Sequence, residues 1–291
     1  MSSQVLSVHP DSRMTDHKRN APIGLFDSGV GGLSVYNHLA EQLPAERYVY
    51  YADTLHVPYG NRDSSDIEAL TLAAVTWLYE QGCKLIVIAC NSASAHALDA
   101  ARRHYPQLPI VGLVPALKPA VLASQSGHVA VLATKATLNG TLLNKVINEV
   151  AIPYQTTVTK YFDPMLVPWV EAGMPKNSET AACLREQVRN FADNQVDYLV
   201  LGCTHYPFFK AFLQAEIDKQ QLSMQIVDSG QAIAARVQSL LVEHELLAKP
   251  IDDNSQPNNL PLTFYASKYD AFLIVLVQQL VGVDRQVYYL R

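Results

Sequence analysis

Two cysteines stand where a thiol can act on a bound molecule. Residues 84–95, KLIVIACNSASA, and residues 197–207, DYLVLGCTHYP, are each a run of branched apolar residues too short for a helix, ending in a cysteine followed by a small polar residue. Such a run reads as a buried parallel strand that delivers its last side chains to the C-terminal end of a sheet. Ligands bind at that end of open parallel sheets, beside turns and helix N-termini whose backbone N–H groups can hold an anion. Cys90 and Cys203 therefore suggest two half-sites facing one substrate. Two opposed thiols suit proton transfer at a carbon acid: one thiolate removes a proton from one face, and the other thiol delivers one to the opposite face, inverting the centre. A thiol's ordinary pKa of about 8.5 leaves a useful thiolate fraction near neutrality, and neighbours can tune it. The carbanion that develops must be stabilised by nearby donors and by exclusion of water.

The neighbours of the thiols each read two ways. Asp27 in the D-S-G sequence can cap a turn, or can manage a proton close to Cys90. His205, two residues after Cys203, can be a hydrogen-bonded structural group, or an imidazole that activates the thiol. Asn91, Ser92 and Thr204 directly follow the thiols and can cap helices or donate to a bound carboxylate. Cys83 and Cys183 read as small buried apolar residues. The four cysteines form no C-x-x-C pair, which argues against a zinc site, and a reducing compartment would keep them as thiols. No lysine stands out as a Schiff-base partner for pyridoxal phosphate.

The elements that must position these groups follow an α/β rhythm. A strand at 22–26 leads into a glycine-rich turn, residues 27–34, and a helix at 35–43. A strand at 47–52 ends at Asp53, and the loop 56–60 precedes a helix from about 64 to 81, capped by Ser64 or Ser65 with Glu68 in its first turn. The Cys90 strand, a helix at 93–104 and a strand at 109–112 complete the first half. The pattern then restarts, with strands at 127–134, 154–159 and 197–202 and another at 225–228. Strand ends Asp27, Pro58 and Cys90 answer to Thr134, Pro164 and Cys203 at near-equal separations, which suggests an internal duplication and a cleft between two similar halves. A helix to about 244, an exposed connection at 250–261, a strand at 262–266, a helix at 268–280 and a strand at 286–290 close the chain, and this last segment is expected to return to the first half. The expected organisation is a flexible tail at 1–21, a first α/β domain of 22–113 plus 229–291, and a second of 114–228.

The glycine-rich turn has a rival reading. Gly29-x-Gly31 after a strand, with Asp53 ending the next one, resembles a dinucleotide-binding start, but Ser34 occupies the third glycine position and the Asp27 carboxylate would repel a pyrophosphate. A small carboxylate held by backbone N–H groups and the Ser28 hydroxyl fits better.

Composition sets the outer bounds. The chain has 291 residues, 49% hydrophobic and 17% charged, which is a globular balance with a substantial core. A net charge of −5 argues against nucleic acid as a partner, and no Lys/Arg run marks a membrane-surface helix. No apolar stretch approaches the about 18 residues of a spanning helix, and the first twenty residues lack the apolar core of a secretory signal. The expected location is the cytoplasm.

Taken as a set, Asp27-Ser28-Gly29-x-Gly31-Gly32, Tyr51-Ala52-Asp53 with Pro58-Tyr59-Gly60, Ala89-Cys90-Asn91 and Leu201-Gly202-Cys203-Thr204-His205-Tyr206-Pro207 closely resemble the glutamate racemases, over most of the chain. The resemblance implies two pseudo-symmetric α/β domains, each a mostly parallel sheet flanked by helices, with the active site in the cleft between them. It implies interconversion of L- and D-glutamate with no cofactor and no metal, supplying D-glutamate for peptidoglycan. Carried over, Cys203 takes the α-proton of L-glutamate and Cys90 that of D-glutamate, assisted by His205 and Asp27 respectively. Substrate is held by Asp27, Ser28, Tyr59, Gly60, Asn91, Ser92, Thr204 and His205, with Thr134 and Thr137 also facing it. Ser92 stands where the family usually has Thr, Phe208 where Leu is typical, and Asp163 where a small residue is common. The resemblance also raises a cell-wall precursor as activator and a homodimer or monomer–dimer equilibrium. Two other readings remain open: the same fold acting on aspartate or another small acid, and a non-catalytic binding protein on the same scaffold.

Overall fold

The branched runs of the sequence are strands buried on both faces. The computed structural model describes residues 17–249 and 261–290. Within it β1 (Ile23–Asp27) and β3 (Leu85–Ile88) are buried at every position, as are all but the first residues of β5 (His128–Ala133) and β7 (Tyr198–Gly202). Helices on both faces of a parallel sheet leave no strand face for water, so alternation disappears from the sequence. The other strands are β2 (Tyr48–Ala52), β4 (Ile110–Gly112), β6 (Thr157–Tyr161), β8 (Gln225–Val227), β9 (Leu262–Ala266) and β10 (Val287–Leu290).

They form two sheets, in the orders β10-β9-β2-β1-β3-β4 and β6-β5-β7-β8, with every pairing parallel. Omitting β9 and β10, the first order read from β2 is 2-1-3-4, and β6-β5-β7-β8 repeats it. The duplication suggested by the strand ends is thus present in the topology. In each sheet the connections leave the first and third strands of the repeat in opposite directions, and that switch point opens a crevice at the strand C-termini. The crevice lies between β1 and β3 in one half and between β5 and β7 in the other, where Asp27, Cys90, Thr134 and Cys203 emerge.

The C-terminal segment returns to the first half as expected, β9 pairing with β2 and β10 with β9. The chain crosses between the halves after β4 and after β8, and the Ser229 hydroxyl donates to the Val114 carbonyl at 2.8 Å, tying the two crossings together. Of the expected tail, residues 1–16 lie outside the described residues. Residues 17–19 are helical, Arg19 Nε donates to the Glu245 carbonyl at 3.1 Å, and the buried Lys84 ammonium donates to the Arg19 carbonyl. The expected connection at 250–261 falls almost wholly outside the described residues. Among those described, no helix is long and apolar enough to cross a membrane.

Four local expectations change. The β6 strand starts three residues later than expected, because residues 147–151 remain helical and Gln155 turns the chain at φ 53°. The helix Ser64–Glu80 has Asp63 at its N-cap and Asp66 as its first-turn acid, while the Ser64 hydroxyl instead meets His96 Nδ1 at 3.0 Å. The helix after Cys90 begins at Asn91, because the thiol itself occupies the capping position. Cys183 is exposed and so does no packing; Cys83 is buried as expected.

Candidate active site

Cys90 stands two residues past β3, in extended conformation, and caps the helix Asn91–His104. Its sulfur accepts the Ala93 N–H at 3.4 Å and lies 3.6 Å from the Ser28 hydroxyl. A capping side chain satisfies an orphan helix donor, so the strand-to-helix turn holds the thiol in place. Burial pushes this thiol up to about 12, the nearby Asp27 charge adds to that, and the Ala93 and Ser28 donors oppose it.

Asp27 ends β1 with no exposed surface. One carboxylate oxygen accepts the Gly29 N–H at 2.8 Å, and the other accepts the Thr204 hydroxyl, from the opposite half, at 3.1 Å. The Gly29 amide of the glycine-rich turn is therefore taken by the protein's own carboxylate. Burial raises the Asp27 pKa, against the attraction of His205 and the Gly29 and Thr204 donors.

Cys203 has a different neighbour. Its sulfur is 4.0 Å from His205 Nδ1, and His205 Nε2 is 3.1 Å from a Glu171 carboxylate oxygen. Burial pulls the imidazole down, but the hydrogen bonds and charges of Cys203 and Glu171 outweigh it and raise His205 to about 10. At neutral pH this thiol faces an imidazolium.

A cavity of about 210 Å³ joins the two half-sites, with both thiols in its wall. Ser28, Tyr59, Gly60, Asn91 and Ser92 line it from the first half, and Thr134, Thr204 and His205 from the second. Asn91 is 5% exposed, and its side-chain NH2 has no partner among the described residues, so a buried donor stands ready for an acceptor. The Ser92 and Thr134 hydroxyls meet across the halves at 2.9 Å, and Thr137 lies 2.9 Å further on. Asp27 and Thr137 do not line the cavity: each is buried behind a residue that does, Thr204 and Thr134 respectively.

Close approach explains Gly31. A Cβ there would stand 2.4 Å from His205 Nδ1 and 2.5 Å from the Thr204 hydroxyl, so the second half packs directly onto this backbone.

Sequence reading missed two supports. Glu171 ends the short helix Leu166–Glu171, and a lone glutamate on so short a helix carries no periodic signal; its place soon after Asp163-Pro164, the counterpart of the loop bearing Tyr59, is the one trace of it in the sequence. Asp53, read as a strand end, is buried and anchors the loop that bears Tyr59 and Gly60: it accepts the Tyr59 hydroxyl at 2.7 Å and the Ser267 hydroxyl at 2.8 Å, and contacts His56 Nδ1 at 2.9 Å.

The profile of the family described as Asp/Glu/Hydantoin racemase matches residues 23–237, spanning both half-sites. The chain belongs to this family. Among family members, it is 48% identical over 226 residues to the glutamate racemase of Deinococcus radiodurans, covering 78% of this chain and 77% of that one. A glutamate racemase of Clostridium perfringens is 35% identical over 270 residues, 93% and 100% of the two chains. Among solved racemases, that of Francisella tularensis in complex with D-glutamate superposes with a TM-score of 0.76 at 26% identity, covering 93% of this chain and 97% of its own. The Escherichia coli glutamate racemase, in complex with L-glutamate and the activator UDP-MurNAc-ala, gives a TM-score of 0.74 at 30% identity over 92% and 97%.

Proposed function

We propose that this chain is a glutamate racemase that moves a proton between two thiols and the substrate Cα, supplying D-glutamate for peptidoglycan. The observation that carries the reading is one buried thiol from each half in the wall of a single cavity, beside an unpartnered Asn91 amide. With L-glutamate bound, the Cys203 thiolate, facing the His205 imidazolium, takes the Cα proton. The carbanion is then protonated on its other face by Cys90, whose raised pKa keeps it a thiol at neutral pH. The product state has the opposite protonation, a thiol at Cys203 and a thiolate at Cys90, ready for D-glutamate. In this reading Asn91, Ser92, Thr204 and His205, with Ser28, Tyr59, Gly60 and Thr134, hold the substrate. Asp27 positions Thr204 and the Gly29 turn and governs the proton on Cys90, and Thr137 orients the Thr134 hydroxyl.

In this reading the two domains are residues 22–113 with 229–291 and residues 114–228, with the substrate between them. A cell-wall precursor is proposed as activator, supported by the activator bound to the Escherichia coli relative; added UDP-MurNAc-ala should raise kcat/KM, and an unchanged rate removes it. A homodimer or monomer–dimer equilibrium in the cytoplasm completes the reading, and sedimentation across a concentration series tests the assembly.

Incubation with each enantiomer of glutamate and of aspartate tests the substrate. Glutamate should reach an equal mixture from either side, and turnover of aspartate alone would overturn the assignment.

A further inference from the structure

A second cavity lies against the back of the catalytic one. It measures about 390 Å³ and opens on the outside of the second half, between the helix Leu166–Glu171 and the helix Lys210–Lys219. Trp169, Met174, Phe208, Phe209 and Phe212 wall it, and Lys176, Arg185 and Glu216 stand at its rim. Arg185 is already committed: Nε donates to Glu216 at 3.0 Å, Nη2 to the Lys176 carbonyl at 2.8 Å, and the guanidinium sits 5.1 Å from the Phe212 ring centre. With Glu216 neutralised by Arg185, the exposed Lys176 ammonium leaves the mouth with one positive charge. Flat aromatic walls favour a flat aromatic body, the volume suits a small molecule, and the rim favours one anionic group.

This cavity and the catalytic one share a wall. The rings of Trp169 and Phe209 lie 5.6 Å apart, and Phe209 packs at 5.2 Å on Tyr206, which lines the catalytic cavity. Trp169 belongs to the same helix as Val167, Pro168 and Glu171, which also line the catalytic cavity. Anything that separates Trp169 from Phe209 therefore shifts Glu171 against His205.

We propose that this cavity is an effector site for a small amphipathic anion with a flat aromatic body, and that its occupancy slows racemisation by displacing the Trp169 helix from the 206–209 turn. The regulatory half rests on the racemase reading above; the binding half stands without it. Coupling is reciprocal, so glutamate weakens the effector by the factor by which the effector weakens glutamate.

The test is calorimetric titration with 8-anilinonaphthalene-1-sulfonate and with the neutral N-phenyl-1-naphthylamine, on the full chain and on Ala215→Phe and Lys176→Ala. Ala215 lines the pocket from an exposed position on the helix Lys210–Lys219, so phenylalanine there obstructs entry from the solvent side without parting Trp169 from Phe209 or touching the catalytic residues. Wild type should bind one equivalent of either probe, and Ala215→Phe should bind neither while racemising at the basal rate. Lys176→Ala should weaken the sulfonate about fivefold and leave the neutral probe unchanged. At saturating sulfonate, kcat/KM should fall by the same factor for both enantiomers in wild type and stay unchanged in Ala215→Phe. Binding insensitive to Ala215→Phe, or binding that leaves kcat/KM untouched, overturns the proposal. Should glutamate not be turned over at all, the titrations still decide whether the site exists.

Discussion

Cys90 and Cys203 occupy matching places in a repeated topology, yet their surroundings carry opposite charge. Cys90 caps a helix beside the buried carboxylate of Asp27, and burial with that carboxylate pushes its thiol up to about 12. Cys203 is followed by a 3-10 turn, Tyr206–Phe209, and faces an imidazole that it and Glu171 raise to about 10. The repeated topology thus provides two similar frames, and their different neighbours give a resting pair with one thiol held protonated and the other beside a cation. Inversion of a carbon centre needs opposite protonation of the two thiols, because in each turnover one group must take a proton while the other gives one.

Removing either thiol is the largest break of the comparison. Cys90→Ser and Cys203→Ser should each lower racemisation by about 10³-fold or more, measured by chiral separation of the product, because neither face can be served by the other's base. Gly31→Ala comes next. Its Cβ would collide with His205 and Thr204, and the forced displacement should cost about 1–3 kcal/mol of stability together with most of the activity, read by denaturant titration and initial rates.

Changing the neighbours sharpens the contrast. His205→Asn should depress kcat most from L-glutamate and Asp27→Asn most from D-glutamate, each by about 10–10² in the affected direction. The enantiomers are equal in free energy, so kcat/KM must still fall equally both ways; the asymmetry shows in kcat, with KM differing between the enantiomers by the same factor. Equal kcat losses in both directions from both variants would remove the assignment of one helper to each thiol.

The His205 pKa also predicts a stability profile. Its folded value of about 10 lies above the ordinary 6.5, so its stabilisation is complete below about pH 6.5 and is lost as pH rises through about 10. Thermal midpoints should decline across that window, and Glu171→Gln, which removes one of the two partners, should flatten the decline. Asp53→Asn should give the smallest effect, raising KM a few-fold with little change in kcat by loosening the loop that presents Tyr59 and Gly60.

How much of this was legible in the sequence depends on how local each signal is. Cys90 and Cys203 announce themselves because a buried parallel strand is written as an unbroken apolar run, and the residues just past its end are the ones the sheet presents. The internal repeat was suggested by the ordered strand ends, although residue identity between the halves is slight; its 2-1-3-4 strand order was not readable, because which strands pair depends on packing between distant segments. Glu171 was not readable, since its partnership with His205 spans 34 residues and depends on how a six-residue helix packs. The use of the Gly29 amide by Asp27 was hidden for a related reason: a turn's free N–H groups are evident in sequence, and the acceptor that fills them is not. Cys183 reads like Cys83 by type alone, but Cys183 lies on the outward face of the helix Glu179–Asp193, whereas Cys83 is buried in the turn that leads into β3.

The most direct test of two opposed thiols is to incubate the purified protein with L-glutamate in D2O and measure Cα deuterium in the first D-glutamate formed. Two separate bases require that the new isomer carry deuterium from its first appearance, because the incoming proton comes from Cys90 and the outgoing one stays on Cys203. Early D-glutamate retaining substrate protium would mean one group carries the proton across, and would contradict the mechanism.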